Sequence, residues 1–304
     1  MKKNYLVLLF IIVSAGRIAA QGCSDAGFCT IPFNHQVNPA SEKKMKNSLT
    51  TEIAFGLGEG DTKILTPSLL YSRKINSHLS WDNKFTASYV TGGLGNIFGA
   101  GDWYSTLNVA LKGTKKVTSS LLAGFKIPFT NANTKENGQP LPMAYQTSLG
   151  TYDFIGGAAW VLNNKFNVNA AVQVPVINNN ENTFVRLPGS NADFITTRSF
   201  ERRPDALLRL GYLANTKNKK WLFQPNLLAI MHLGEDSYET TLGKRDNIDG
   251  SSGLTLNINL LAEYKITATK SLNFSIATPA LVRDARPDGL TRSFTFSMNY
   301  RFGF

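Results

Sequence analysis

The sequence predicts an all-β fold: a transmembrane, antiparallel, up-and-down β-barrel of about twelve strands with both termini periplasmic. Three observations carry that prediction. Between Ser293 and Phe304 every even position holds a large apolar side chain and every odd one a small or polar side chain. This is the period-2 signature of a strand with one face in an apolar medium. Eleven further segments show alternation at the length a tilted membrane-spanning strand needs, roughly nine to eleven residues. The connections between segments are alternately short and long, as the two rims of such a barrel require.

In chain order, Met1-Lys2-Lys3, the apolar run Tyr5–Val13 and the small-residue stretch Ser14–Ala20 form the basic, apolar and cleavage regions of a secretory signal peptide. Cleavage is expected after Ala20, with Gly22 as the alternative. The apolar run is too short to cross a bilayer as a helix, and no other run approaches the roughly 20 residues that crossing needs. The expected organisation is a signal peptide over 1–20, a periplasmic or lumenal N-terminal segment over 21–47, and one barrel over 48–304. Removing Lys2, Lys3 and Arg17 lowers the formal net charge from +11 to +8. The remaining basic residues are scattered through turns and loops with no basic helix and no aromatic RNA-binding signature, which argues against a nucleic-acid partner.

Cys23 and Cys29 are the only cysteines. In an exported protein a disulfide closing a small loop is the expectation, with lipidation of Cys23 as the alternative. No His follows at haem-attachment spacing, and only His35 lies nearby, so neither a metal nor a cofactor is expected.

Strands are expected at 48–57, 63–73, 78–90, 102–113, 117–128, 151–162, 165–176, 205–215, 220–233, 253–266, 270–280 and 292–304. Alternation is clearest in Phe166–Val174, where valines share one face and Asn167, Asn169 and Gln173 the other. It recurs where Leu254, Leu256, Ile258 and Leu260 oppose Thr255, Asn257 and Asn259. The turns at 74–77, 113–116, 163–164, 215–219 and 267–269 are short and polar. The links 91–101, 129–150, 177–204, 234–252 and 281–291 are long and are expected outside the cell, with 58–62 the one short external turn. Asn178–Asn182 reads as a solvated loop. Trp81, Trp103, Trp160 and Trp221 lie near strand ends, where interfacial belts place aromatics.

Assigning the apolar face to lipid sends polar positions inward. Candidate lumen-lining residues are Glu52, Asp82, Lys84, Asp102, Asp153, Arg209, His232, Glu263 and Arg301, with Lys112 and Lys126 also on that face. Opposite charges should pair across the interior, because an unpaired charge in a narrow lumen is costly. A subset, Asp102, Asp153 and Arg209, is the candidate for solute selection. About eight strands are filled by their own side chains and sixteen leave an aqueous pore, so twelve imply a narrow, hydrated and partly occluded lumen. Arg186, Arg198, Arg202, Arg203, Lys244, Arg245, Arg283, Arg286 and Arg292 make the external side basic, a surface suited to anions or lipopolysaccharide phosphates. A hydrolytic site would need a Ser within reach of an oriented His; His35, His78 and His232 have no flanking motif of that kind, and an enzyme is not expected.

Five short segments carry three resemblances to known signals and families. The terminal strand, with Tyr300, Phe302 and Phe304, resembles the signal read by the barrel-assembly machinery, with Asn299 where that signal usually has Gly. Asn38-Pro39-Ala40 resembles the N-terminal hatch tripeptide of the long-chain fatty-acid transporter superfamily. Thr91–Asn96, Leu149–Asp153 and Pro204–Tyr212 resemble the branch of that superfamily named for the meta-pathway of phenol degradation. The resemblance implies an outer-membrane transporter for small, hydrophobic or amphiphilic solutes, lipid and lipopolysaccharide around the wall, and no assigned ligand residue. The rival expectation is a non-transporting barrel that docks a partner.

Overall fold

The computed structural model describes residues 45–114, 116–187, 194–289 and 293–304. The signal peptide, Cys23, Cys29, Asn38-Pro39-Ala40 and Arg292 lie outside the described residues. Twelve long strands form one closed antiparallel sheet: β1 (Asn47–Leu57), β2 (Lys63–Lys74), β3 (Leu79–Gly92), β4 (Gly95–Ala110), β5 (Val117–Pro128), β6 (Thr151–Leu162), β7 (Phe166–Asn178), β8 (Asp205–Tyr212), β9 (Trp221–His232), β10 (Gly253–Lys265), β11 (Lys270–Leu281) and β12 (Phe294–Gly303). Each strand pairs with its sequence neighbours. Closure runs from Ser48 opposite Gly303 to Leu57 opposite Phe294. It leaves no open edge, so backbone groups in the sheet can pair within the wall.

The alternating residues divide as the pattern dictates. Phe294, Phe296, Met298, Tyr300 and Phe302 point outward and stay exposed, while Thr295, Ser297, Asn299 and Arg301 between them are half-buried. Aromatics ring the outer face at both ends. At the short-turn rim Trp221 stacks on Phe223 and packs against Tyr264, and Phe166 meets Tyr212 edge-on. At the other rim Phe85 stacks between Trp103 and Phe129. Such girdles belong to lipid–water boundaries, where an apolar ring with polar edges is best accommodated.

One expected loop is a strand pair. β3 and β4 continue until Gly92 opposes Gly95, so 91–101 is a projecting hairpin with a bulge between Phe85 and Ala87. Gly99 and Gly101 look like loop residues in sequence. A methyl group built on Gly99 would sit 3.1 Å from Thr147 Oγ1, and one on Gly101 would sit 3.1 Å from the Thr147 carbonyl oxygen. These positions lack side chains because another segment lies against the inner face of the hairpin. β4 also ends at Ala110, which leaves Lys112 exposed in the following turn and not in the lumen.

The interior is lopsided. Tyr104, Leu122, Ile155, Ala159, Ala171, Leu207, Leu228 and Ile230, all on the inner faces of β4 to β9, form one buried apolar cluster. On β11, β12, β1 and β2 the inner residues Asn273, Ser275, Ser297, Asn299, Thr50, Glu52 and Ser68 are only half-buried.

Candidate functional site: the capped lumen

Where the chain leaves the sheet at the long-loop rim, it turns back over the barrel mouth. Every residue from Leu141 to Gly150 is buried, around one 3-10 turn at Met143–Tyr145. Tyr145 is fully buried, its hydroxyl accepts a 3.1 Å bond from the Leu94 amide, and its ring meets Phe194 edge-on at 5.8 Å. Burial raises the phenol pKa. The segment Asn178–Asn182 does not behave as a solvated loop. Asn180 Nδ2 donates to the Leu149 carbonyl at 2.9 Å, and Asn182 Nδ2 donates to the carbonyls of Ala132 and Leu141, each at 2.9 Å. Those amides pair carbonyls that lie in no ladder, which is how a buried loop meets its backbone hydrogen-bonding requirement. Ala132, Met143, Leu149, Phe200 and Ile248 close the outer layer of this cap.

An ionic cluster ties the cap to the wall. Asp288 Oδ2 lies 2.5 Å from Arg283 and 3.3 Å from Arg202. Arg202 reaches Asp205 at 2.5 Å, and Arg283 reaches Asp236 at 3.7 Å. His232 bridges two carboxylates, with Nδ1 2.6 Å from Asp205 and Nε2 2.7 Å from Asp236. Both ring nitrogens can donate only in the imidazolium form, so the six side chains balance as three cations and three anions. All six are buried. Burial works against an ionised Asp288, but the guanidinium groups of Arg283 and Arg202 outweigh it and hold the carboxyl well below its usual range. The cluster corrects the expected external charge. Arg202 and Arg283 are internal ion-pair partners, not anion-attracting surface groups. Arg198 pairs with Glu239, Arg245 with Glu201 and Arg286 with Glu59, while Arg186 is exposed and Arg203 Nε donates to the Glu235 carbonyl.

Beneath the cap lies a cavity of about 60 Å³, room for about four waters. Its lining joins wall residues Ser88, Val90, Asp102, Tyr104, Lys126 and Gln173 to cap residues Met143, Gln146, Ser148, Leu149 and Asp288. Lys126 Nζ is held 3.0 Å from Asp153 and donates to Thr151 at 2.9 Å. Gln173 donates to the same Asp153 carboxylate. Asp102 accepts from Ser148 at 2.6 Å and from Tyr104 at 3.3 Å.

Of the sequence-stated candidates, Asp102, Asp153 and His232 therefore gather under or beside the cap. Arg209 is buried two inward positions along β8 from Asp205, opposite Asn169 on β7. Asp82 accepts a 2.7 Å bond from Asn108, and Glu52 pairs with Lys84 at 3.5 Å. Glu263 and Arg301 are half-buried near the short-turn rim, apart from that group. Tyr300, Phe302 and Phe304 are on the outer surface, with the last two rings stacked. His78 is exposed in a turn beside Ser77. The residues that sequence reasoning missed are Tyr145, Ser148, Asp236 and Asp288, together with the structural use of Arg202 and Arg283. Their loops carry no periodic pattern, and the only local hint was the concentration of Asn and Asp in segments too long to be plain turns.

No family model and no curated protein sequence match the chain. Among solved structures it is similar to the COG4313 outer membrane channel from Pseudomonas putida F1, with 15% identity, 85% of this chain and 94% of that chain covered, and a TM-score of 0.57. The NanC porin (11% identity, 84% and 98% covered, TM-score 0.47) and the CymD monoaromatic hydrocarbon channel (9% identity, 93% and 94% covered, TM-score 0.42) resemble it less closely. The likeness is one of fold: the chain has the architecture of outer-membrane barrels.

Proposed function

We propose that this protein is an outer-membrane channel for passive passage of a small hydrophobic or amphiphilic solute, of the kind the phenol meta-pathway branch is named for. The observation that carries the reading is the lopsided interior under a loop cap. On the inner faces of β4 to β9 a buried apolar cluster lies among buried polar residues such as Asn169, Gln173, Arg209 and Gln224 and fills that side, and the half-buried polar wall of β11, β12, β1 and β2 keeps the remaining lumen hydrated. The short-turn rim and both termini face the periplasm, and the cap faces outward. A signal peptide delivers the chain, the barrel-assembly machinery reads its terminal strand, and lipopolysaccharide surrounds the outer rim. Solute enters past the cap and diffuses along the boundary between the two walls.

The test is single-channel conductance of the refolded mature chain in planar bilayers, with and without residues 23–46. Discrete steps, and their block by added hydrophobic solutes, are the expected result. Silence from both forms, with folding established by heat-modifiable gel mobility, would overturn the channel and favour the rival docking module. One observation supports that rival: Ile155, Leu228 and Asn257 show no accessible surface inside the barrel.

A further inference from the structure

We propose that the cavity beneath the cap is a binding site for the primary ammonium group of a small amine. The inference rests on the channel reading and names the head group its solute carries. Three features of the cavity point to a cation that can donate hydrogen bonds.

The first is a surplus of acceptors. Gln173 is 2% exposed and Asp288 1%, both line the cavity, and Gln173 Oε1 and Asp288 Oδ1 have no hydrogen-bond partner among the described residues. A buried acceptor without a donor is costly, so the site favours an occupant that brings N–H or O–H groups. The second is charge. Lys126 contacts Asp153 and Thr151 and also faces Asp102 across the lining, so two carboxyl groups share one cation beside the cavity. Asp288 belongs to the neutral six-residue cluster and adds no net charge. An anion would meet both carboxyl groups with Lys126 already shared between them, whereas a cation brings the second positive charge in a setting of low dielectric. The third is shape. Ile64, Val90, Met143 and Leu149 supply the apolar part of the lining, so a short alkyl group is accommodated beside the polar head. An ammonium group presents three donors and no acceptor, which matches Asp102, Gln173 Oε1 and Asp288 Oδ1.

The test uses the refolded chain in detergent micelles and saturation-transfer NMR with three probes: methylammonium, tetramethylammonium and acetate. Methylammonium should bind saturably. Tetramethylammonium, which has the charge but no donor, and acetate, which has the opposite charge, should each bind at least about tenfold more weakly, the factor set by loss of one hydrogen bond to a charged group. Asp102→Asn and Gln173→Leu should each weaken methylammonium by about the same factor. Gln173→Leu also removes the Nε2 donor to Asp153, which keeps Lys126, so heat-modifiable mobility reports the fold of both variants. Equal binding of the three probes, unchanged binding in both variants, or no saturable binding would overturn the site and leave a pocket that holds water only. The readout needs no ion current. A conducting barrel without methylammonium preference would sink this site alone, and a silent barrel would sink the channel alone.

Discussion

The two walls of the lumen are built from the same alternating strands yet meet different conditions. On β5 to β9 the inner faces carry Leu122, Ile155, Ala159, Ala171, Leu207, Leu228 and Ile230 interleaved with polar residues such as Asn169, Gln173, Arg209 and Gln224, all buried and roofed by the cap. On β11, β12, β1 and β2 the inner row is mainly Ser, Asn and Thr with Glu52 and Arg301, half-buried along its middle and paired locally, as in Asn273 to Asn299 at 2.7 Å and Ser275 to Ser297 at 2.7 Å. Alternation decides which side chains point inward. It does not decide whether the inward space is filled, because that depends on whether large side chains from facing strands meet at the same height.

The comparison can be broken at its most costly point first. Arg283→Met should cost about 3–5 kcal/mol, because it strips a cation from the buried carboxylates of Asp236 and Asp288. Limited proteolysis should then cut within 129–150 and 282–289, and unit conductance should rise, while the strands keep their heat-modifiable fold. Unchanged proteolysis would show that the ionic cluster does not hold the cap. Acid tests the same cluster. Because the folded pKa of Asp288 is depressed, its contribution is present above the ordinary carboxylate range and is lost only as pH falls through the depressed value. Amide exchange in 282–289 should therefore stay slow at pH 4. Opening there would contradict the assignment.

Within the walls, Leu228→Ala should destabilise the barrel by about 2–5 kcal/mol, because the packed side cannot collapse around the void. Denaturant unfolding in micelles measures this. At the cap, Tyr145→Phe should cost about 1 kcal/mol through the lost acceptor for the Leu94 amide, read as faster exchange of that amide alone. The smallest effect is expected on the hydrated wall, where Ser297→Ala should change stability by less than about 0.5 kcal/mol. A Ser297 variant as damaging as the Leu228 one would abolish the distinction between the walls.

Legibility in the sequence follows the same division. The strand set, the barrel closure and the outward aromatic face follow from a period of two and need only neighbouring residues and a lipid medium. The Gly92–Gly101 stretch misled because glycine marks both loops and close approach, and only the segment packed against it distinguishes them. Asp102 and Asp153 could be placed on the inner face by counting. That Ser148, Tyr104 and Lys126 engage them could not be foreseen, since the cap comes from a loop with no periodicity. Arg202 and Arg283 read as surface charge although their nearest partners, Asp205 and Asp288, are three and five residues away, because burial of the pairs depends on the fold that brings Arg202 to Asp288, 86 residues off.

By itself the sequence determined an all-β chain with one lipid-facing and one inward-facing row per strand, because side-chain direction in a strand is set by backbone geometry alone. The tertiary structure decided which half of the interior is filled, how the loops fold back over the mouth, and which charges neutralise one another there. Those outcomes depend on contacts between segments far apart in the chain, where packing volume and buried charge, not local pattern, choose among the arrangements the sequence allows.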